Sequence, residues 1–168
     1  MRRLYLLALM SATLIAGVAA LAVSSSASAA PKTTTLKLFF KEISEGFKSP
    51  SGATLGNNST PAPGDYFSEA INAYTGTSAH HSSAPAATAS LTCVVFDVVN
   101  ASTDIEGICQ GNIAIGTSML LSVSKQNIAG SLSNVPITGG TGVYKGAKGS
   151  VKTKAVGNNS NAVVKFTT

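Results

Sequence analysis

One stretch of the chain decides its fold: Pro136-Ile137-Thr138-Gly139-Gly140-Thr141-Gly142-Val143-Tyr144-Lys145-Gly146-Ala147-Lys148-Gly149-Ser150-Val151. Its glycines exclude a helix, because each would cost about 1 kcal/mol there relative to alanine. We predict instead a strand, a tight turn with positive φ angles at Gly139-Gly140, and a second strand that its glycines allow to bend. Bends of this kind close small antiparallel barrels at their corners.

A phosphate-binding loop is the functional alternative for these glycines. The order from Gly140 to Gly146 approaches a dinucleotide fingerprint, but the third glycine lies one position late. No helix-forming run follows, although a helix N-terminus is needed to bind the pyrophosphate. Lys145 is not followed by Ser or Thr, which excludes a Walker-type loop. We therefore favour the barrel corner and expect no cofactor.

The stretch from Ile137 to Val151 also resembles the late-barrel signature of the allene oxide cyclase and dirigent superfamily. That signature consists of Gly-Gly-x-Gly, an aromatic residue, and then Gly-Ala-x-Gly-x-Val, all of which are present here. The resemblance implies an all-β fold, a single eight-stranded antiparallel barrel of allene oxide cyclase or dirigent type, over residues 30–168. It also implies a homo-oligomer, since the plant relatives are trimers.

Residues 1–29 have the pattern of a signal peptide. Arg2 and Arg3 precede an apolar run from Leu4 to Val23, and Ala27-Ser28-Ala29 supplies small residues for signal peptidase. We expect cleavage after Ala29, export, and no membrane attachment afterwards. The alternative is an uncleaved anchor, because the apolar run approaches spanning length.

The charge of the mature chain is small and dispersed. Removing residues 1–29 removes both arginines and lowers the formal net charge from +5 to +3 (10 Lys against 7 Asp and Glu). No basic cluster is interleaved with aromatic residues, so we do not expect nucleic-acid binding. No segment after the signal shows a helical period, which leaves one β domain.

The first predicted strand runs from Thr33 to Ile43 and ends in a carboxylate. Alternation places Glu42 on one face with Leu36, Leu38 and Phe40. Such a group becomes an acid or base when it is buried, or it reaches solvent at the barrel mouth. The residues alone favour the solvated interpretation.

The resemblance adds site candidates on the first two strands. Glu42-Ile43-Ser44-Glu45 is similar to the Glu-Ile-Asn-Glu of plant allene oxide cyclases, where the first Glu and the Asn line the active site. Glu42 is then the catalytic candidate, and Ser44 replaces the Asn. The second predicted strand, Gly64 to Tyr74, resembles a family segment whose active-site Asn falls on Ile71 in an ungapped match. The resulting ligand-binding candidates are Phe40, Ser44, Asn72 and Tyr74.

Two adjacent histidines raise the question of a metal site. His80 and His81 lie in a low-complexity segment from Gly76 to Ser90. A metal site needs three or four ligands, and the sequence has no third histidine and no spaced cysteine pair. We therefore predict a mobile polar loop and no metal site.

The two cysteines flank a predicted hairpin. Leu91 to Val99 forms the strongest strand, and Ile105 to Leu121 returns after a turn at 100–104. If the hairpin folds about Ala101, Cys93 and Cys109 lie directly opposite one another and within disulfide range. An exported chain with two cysteines favours a bridge.

The resemblance implies a second role for Cys93. The residues Leu91-Thr92-Cys93-Val94-Val95 are similar to the Leu-Cys-Val-Val strand of plant cyclases, whose cysteine points towards the substrate. A bridged Cys93 cannot act as a free thiol, so the two roles compete. We favour the bridge with Cys109.

Two functions follow from the implied barrel. An eight-stranded barrel is wide enough to hold one small ligand. We first expect an exported barrel that binds a small hydrophobic molecule without catalysis. The alternative is a cyclase, isomerase or dirigent-like protein that steers cyclisation or coupling, with Glu42 as its acid–base group. The discriminating feature is whether a continuous cavity reaches Glu42.

Overall fold

The computed structural model describes residues 31–56, 59–129 and 134–168, and these contain nine strands and one short 3-10 helix. The predicted signal peptide, residues 1–29, lies outside the described residues. The strands are β1 (Thr33–Lys48), β2 (Tyr66–Thr75), β3 (Ala87–Asn100), β4 (Asp104–Ile115), β5 (Ser118–Asn127), β6 (Asn134–Ile137), β7 (Gly139–Gly140), β8 (Lys148–Val156) and β9 (Asn159–Thr167). The helix, Gly142–Tyr144, lies between β7 and β8.

All nine strands belong to one antiparallel sheet that nearly closes into a barrel. Their order is β6-β8-β9-β1-β2-β3-β4-β5-β7. The strands at the two ends of this order, β6 and β7, are separated in the chain only by Thr138. Ile137 pairs with Gly149 on β8, whereas the Thr138 amide donates a 2.9 Å hydrogen bond to the carbonyl oxygen of Leu121 on β5. This passage from one sheet edge to the other confirms the predicted barrel, with nine strands instead of eight.

The glycine-rich corner is correctly placed, but its predicted turn is wrong in detail. Gly139 and Gly140 are extended and form β7, whereas the positive φ angles occur at Gly142 (56°) and Gly146 (80°). Gly149 is needed for a different reason, the lack of space for a side chain. A Cβ atom there would collide with the carbonyl oxygen of Lys165 on β9. Glycine is therefore needed for the close approach of β8 to β9.

Strand boundaries differ from the predictions at three places. The first strand continues past Ile43 to Lys48, and β3 begins at Ala87, inside the predicted loop. The predicted strand from Ile105 to Leu121 is divided into β4 and β5 by a tight turn at Gly116, whose φ is 59°. Strand propensity continues through Gly116, and only the local backbone angle reveals the reversal.

Two clusters of buried apolar residues form the core. The larger cluster includes Leu38, Phe40, Ile71, Ala89, Ile113, Leu120 and Val164. The smaller cluster consists of Leu91, Cys93, Val95, Ile105, Cys109 and Ile128, with Phe47 and Phe67 packed against it.

The predicted disulfide lies in the smaller cluster. Cys93 and Cys109 occupy directly paired positions of β3 and β4, with Cα atoms 3.9 Å apart. Both residues are buried and their sulfur atoms are bonded. Cys93 is therefore not a free thiol, which removes the competing catalytic role.

Residues Pro31–Thr168 form one compact unit. Across the ranges that the structure describes, no helix has the length and hydrophobicity of a membrane span.

Candidate functional site

A cavity of about 520 Å³ lies inside the barrel and is lined by members of both apolar clusters. Phe40, Ile71 and Leu120 contribute from the larger cluster, and Leu91 and Ile128 from the smaller one. The volume falls in the range of small-molecule binding sites, which are mostly apolar and carry a few polar groups.

Three glutamates line this cavity in the zone between the two clusters. On β1, Glu42 and Glu45 lie between Phe40 of the larger cluster and Phe47, which packs on the smaller one. On β2, Glu69 lies in the same way between Ile71 and Phe67. We call Glu42, Glu45 and Glu69 the carboxylate layer. Glu42 therefore lines the cavity. It does not lie at the end of the first strand, because β1 continues to Lys48.

A β-bulge in β1 decides which residues reach the carboxylate layer. The pairing of β1 with β2 shifts between Glu42 and Ser44, so Ile43 has no partner and is 58% exposed. Strict alternation would send Ser44 into the cavity after Glu42. After the bulge Glu45 lines the cavity and Ser44 does not, although both residues are exposed. Glu45 then lies directly opposite Glu69 on β2.

Burial and like charge perturb two of the three carboxyl groups. Burial, followed by the charges of Glu45 and Glu42, raises the pKa of Glu69 from 4.5 to about 7. Burial, followed by the charge of Glu42, also raises the pKa of Glu45. No lysine, arginine or histidine is among the described residues that line the cavity. Near neutral pH, Glu69 is therefore a group that can hold or release a proton inside the cavity.

Ser122 on β5 brings an unsatisfied hydroxyl to the same cavity. Its side chain is 7% exposed, and among the described residues its Oγ has no hydrogen-bond partner. The register connects it to the carboxylate layer, because Glu69 pairs with Leu91, Leu91 with Gly111, and Gly111 with Ser122. The space beside Gly111 is occupied by Leu91, whose Cδ1 would lie 3.2 Å from a Cβ atom at position 111.

The structure divides the predicted site residues into two groups. Phe40 and Glu42 line the cavity. Ser44 does not, because of the bulge. Asn72 lies between the buried residues Ile71 and Ala73, so it faces the outer side of the sheet. The ungapped match to Ile71 therefore gives the inward-facing position.

Tyr74 lies on the outer side with Asn72 and takes part in an aromatic cluster there. The rings of Phe39 and His81 stack with centroids 4.9 Å apart, and Tyr74 lies 5.2 Å from His81. The segment predicted to be a mobile loop is attached to the barrel, since the Ser78 amide donates a 2.7 Å hydrogen bond to Asn161 Oδ1. Phe39 is buried as a result. The described residues contain no cluster of three or more His, Cys, Asp or Glu able to hold a metal ion.

Glu45, Glu69 and Ser122 line the cavity and are absent from the sequence-based candidates. Glu69 carries a readable signal, because Phe67, Glu69 and Ile71 alternate on one face of the predicted second strand. Glu45 carries none, since its orientation depends on the bulge. Ser122 is one of several serines in β5 and becomes distinct only through its register.

Comparison with solved structures shows which proteins share this fold. Pyocyanin demethylase is 17% identical with a TM-score of 0.60, and the match covers 79% of this chain and 99% of that one. The pterocarpan synthase dirigent protein PsPTS1 is 17% identical with a TM-score of 0.52, covering 81% and 92%. The Diels–Alderase AbmU from Streptomyces koyangensis is 10% identical with a TM-score of 0.54, covering 84% and 72%.

The comparisons based on sequence found no match. No protein-family model matches the chain, and no curated protein sequence matches it. The chain therefore has the fold of the dirigent and cyclase-like β-barrels, as the sequence motifs predict, and the fold is what these comparisons show.

Proposed function

We propose that the protein is an exported barrel that binds a small, largely hydrophobic molecule in its central cavity. The cavity of about 520 Å³ carries the proposal. Small barrels can be filled by their own side chains. Here the interior instead retains a cavity, and its wall includes the small side chain of Ala89. Burial of an apolar ligand against Phe40, Ile71 and Leu120 supplies the binding energy.

Export is part of this proposal. The signal-like pattern of residues 1–29 supports it, and so does the Cys93–Cys109 disulfide. Disulfides persist in oxidising compartments such as the cell exterior and the periplasm.

A second candidate function, cyclase- or isomerase-like catalysis, is favoured by one specific observation. The raised pKa of Glu69, about 7, suits a general acid or base at neutral pH. A shaped apolar cavity can also hold one reactive conformer of its ligand. The solved structures with this fold include a demethylase, a dirigent protein and a Diels–Alderase. Because one fold supports many functions, the choice depends on the site.

The binding proposal is tested with a neutral apolar fluorophore, N-phenyl-1-naphthylamine. We expect its fluorescence to rise on mixing with the mature chain. The variant Ala89→Phe places a ring in the cavity and should lower the affinity at least tenfold. The matched control is Thr88→Phe, which adds the same ring at the neighbouring, exposed position. Equal affinities of the two variants would refute binding in the cavity.

Binding and catalysis are separated by following the ligand itself. The mature chain is incubated with a small-molecule extract, and the bound species are identified by native mass spectrometry. A ligand recovered unchanged supports binding alone. A product that accumulates beyond the protein concentration, and that disappears with Glu69→Gln, supports catalysis.

A further inference from the structure

Five of the ten lysines lie on one outer face of the barrel. Phe40 on β1, Val151 on β8 and Val164 on β9 are buried and face inwards, so their neighbours along each strand face outwards. The outward positions of these three strands carry five exposed lysines: Lys37, Lys41, Lys152, Lys154 and Lys165. We call these five residues the lysine face.

No acidic side chain shares the lysine face. β8 and β9 contain no Asp or Glu, and the two glutamates of β1, Glu42 and Glu45, line the cavity. Among the described residues, which include every charged residue after position 31, the one ion pair joins Lys125 to Glu106 on other strands. The face therefore carries uncompensated positive charge, although the formal net charge of the mature chain is only +3. Like charges on neighbouring strands repel, so an anionic partner would stabilise this face.

The pairing of three strands brings these lysines together. Val163 on β9 pairs with Lys37 on β1 and with Lys152 on β8. Adjacent strands are about 4.8 Å apart, so the Cα atoms of Lys37 and Lys152 are separated by roughly 10 Å. Lys154 follows Lys152 on the same face of β8, about 7 Å further along the strand. The lysines are dispersed in the sequence, and the barrel gathers them.

We propose that the lysine face binds a linear anionic polysaccharide. A polymer that crosses β9 meets Lys37 on one side and Lys152 on the other. Lysine presents a point charge on a flexible stem, which suits repeated acidic groups on a chain without demanding one fixed geometry. Hydroxyl groups lie on both sides of Lys165, because it pairs with Thr35 and Ser150. These hydroxyls can exchange hydrogen bonds with the hydroxyl groups of sugars.

Two other classes of polyanion fit this face less well. Single-stranded nucleic acid binds where bases stack on aromatic side chains. The aromatic residue at the outward positions of these strands is Phe39, and it is buried beneath the ring of His81. A membrane surface requires apolar side chains that insert between the lipids. Val163 is 41% exposed, but its side chain is shorter than those of the lysines on either side.

The proposal goes beyond binding in the cavity, because the lysine face lies on the outer wall of the barrel. The choice of a polysaccharide agrees with the proposed export, since anionic polysaccharides lie outside the cell. Basic clusters are also known footprints for acidic polymers in general.

Two pairs of fluorescently labelled polymers separate charge from sugar. One pair is an oligogalacturonate and its methyl ester, and the other is dextran sulfate and dextran of equal length. Binding to the mature chain is measured by fluorescence anisotropy at low salt. We expect the anionic polymers to bind and their neutral counterparts not to bind. The affinity should fall steeply as the salt concentration rises, because binding releases counterions.

Paired lysine variants locate the site. Lys37→Gln combined with Lys152→Gln should weaken binding of the anionic polysaccharides at least about tenfold, because two charges close to the polymer are lost. The matched control combines Lys48→Gln with Lys125→Gln, which removes two charges at exposed positions outside the lysine face. It should stay within about twofold of the wild type, since salt screens distant exposed charges. Circular dichroism verifies that both variants are folded.

Binding of N-phenyl-1-naphthylamine separates this inference from the proposed function. The fluorophore should bind the wild type and both paired variants equally, because none of the four lysines lines the cavity. Loss of polysaccharide binding with unchanged fluorophore binding therefore assigns the effect to the outer face.

Three results would overturn the inference. If neither anionic polysaccharide binds at low salt, the lysine face is not a polysaccharide site. Equal losses in the two paired variants would show a response to net charge alone. Tighter binding of DNA or of phosphatidylglycerol vesicles than of either polysaccharide, at equal concentration of anionic groups, would assign the face to that other class of partner.

Discussion

Replacing Glu69 by glutamine should remove a pH-dependent loss of stability. The folded protein holds the Glu69 proton more tightly than the unfolded chain, because burial and then the charges of Glu45 and Glu42 raise its pKa to about 7. Between pH 4.5 and 7 the folded state therefore binds more protons. The contribution of this group to stability is complete below pH 4.5 and is lost as the pH rises through 7. Glu69→Gln has no such proton to lose.

The size of the effect follows from the shift in pKa. Each pKa unit corresponds to about 1.4 kcal/mol, so a rise from 4.5 to about 7 gives an upper limit of about 3.4 kcal/mol. Glu69 is only partly buried, and solvent screening reduces the effect to about 2 kcal/mol. We therefore expect Glu69→Gln to be about 2 kcal/mol more stable than the wild type at pH 8, and equally stable at pH 4.

The measurement is urea unfolding followed by circular dichroism at pH values from 4 to 8, with the disulfide intact. Because the two proteins differ only at residue 69, the difference between their stability curves isolates the contribution of Glu69. Asp97→Asn is the control and should follow the wild-type curve. Parallel stability curves for Glu69→Gln and the wild type would refute the assigned burial and charge coupling of Glu69.

Three further predictions concern the scaffold and its export. Replacing Cys93 and Cys109 together by alanine should lower the free energy of unfolding by about 3 kcal/mol, measured with guanidinium, because the bond closes a loop with a sequence separation of 16. Gly149→Ala should cost about 2–3 kcal/mol through its collision with β9, whereas Gly139→Ala, with open space around its Cβ position, should cost less than about 1 kcal/mol; similar losses would contradict the close-approach argument. N-terminal sequencing of protein from the culture medium should begin at position 30, and a start at position 1 would refute cleavage after Ala29.

Local sequence signals were sufficient for the scaffold. Alternation and turn residues predict the hairpin whose register joins Cys93 to Cys109, since a short turn leaves few ways to pair its strands. The glycines from 139 to 149 predict a barrel corner because they disfavour a helix and allow tight turns and close approach of the backbone. The same signals fail at Gly116, where strand propensity continues through the reversal.

The site depended on non-local pairing. Alternation alone places Ser44 in the cavity, but one extra residue at Ile43 reverses the face of everything after it. That reversal puts Glu45 opposite Glu69, which lies on a different strand and is brought there only by the pairing of β1 with β2. The orientation of the second strand likewise decides that Ile71 faces inwards and its neighbour Asn72 faces outwards.

The sequence by itself determined the all-β barrel and the disulfide, because each follows from residues close together in the chain or from a turn that limits their pairing. Only the tertiary structure decided that Glu42, Glu45 and Glu69 share one cavity with Ser122. These residues come from three strands, and the bulge in β1 determines that Glu45 points towards the cavity. The raised pKa values of Glu45 and Glu69 and the unsatisfied hydroxyl of Ser122 depend on burial, which exists only once the barrel has nearly closed.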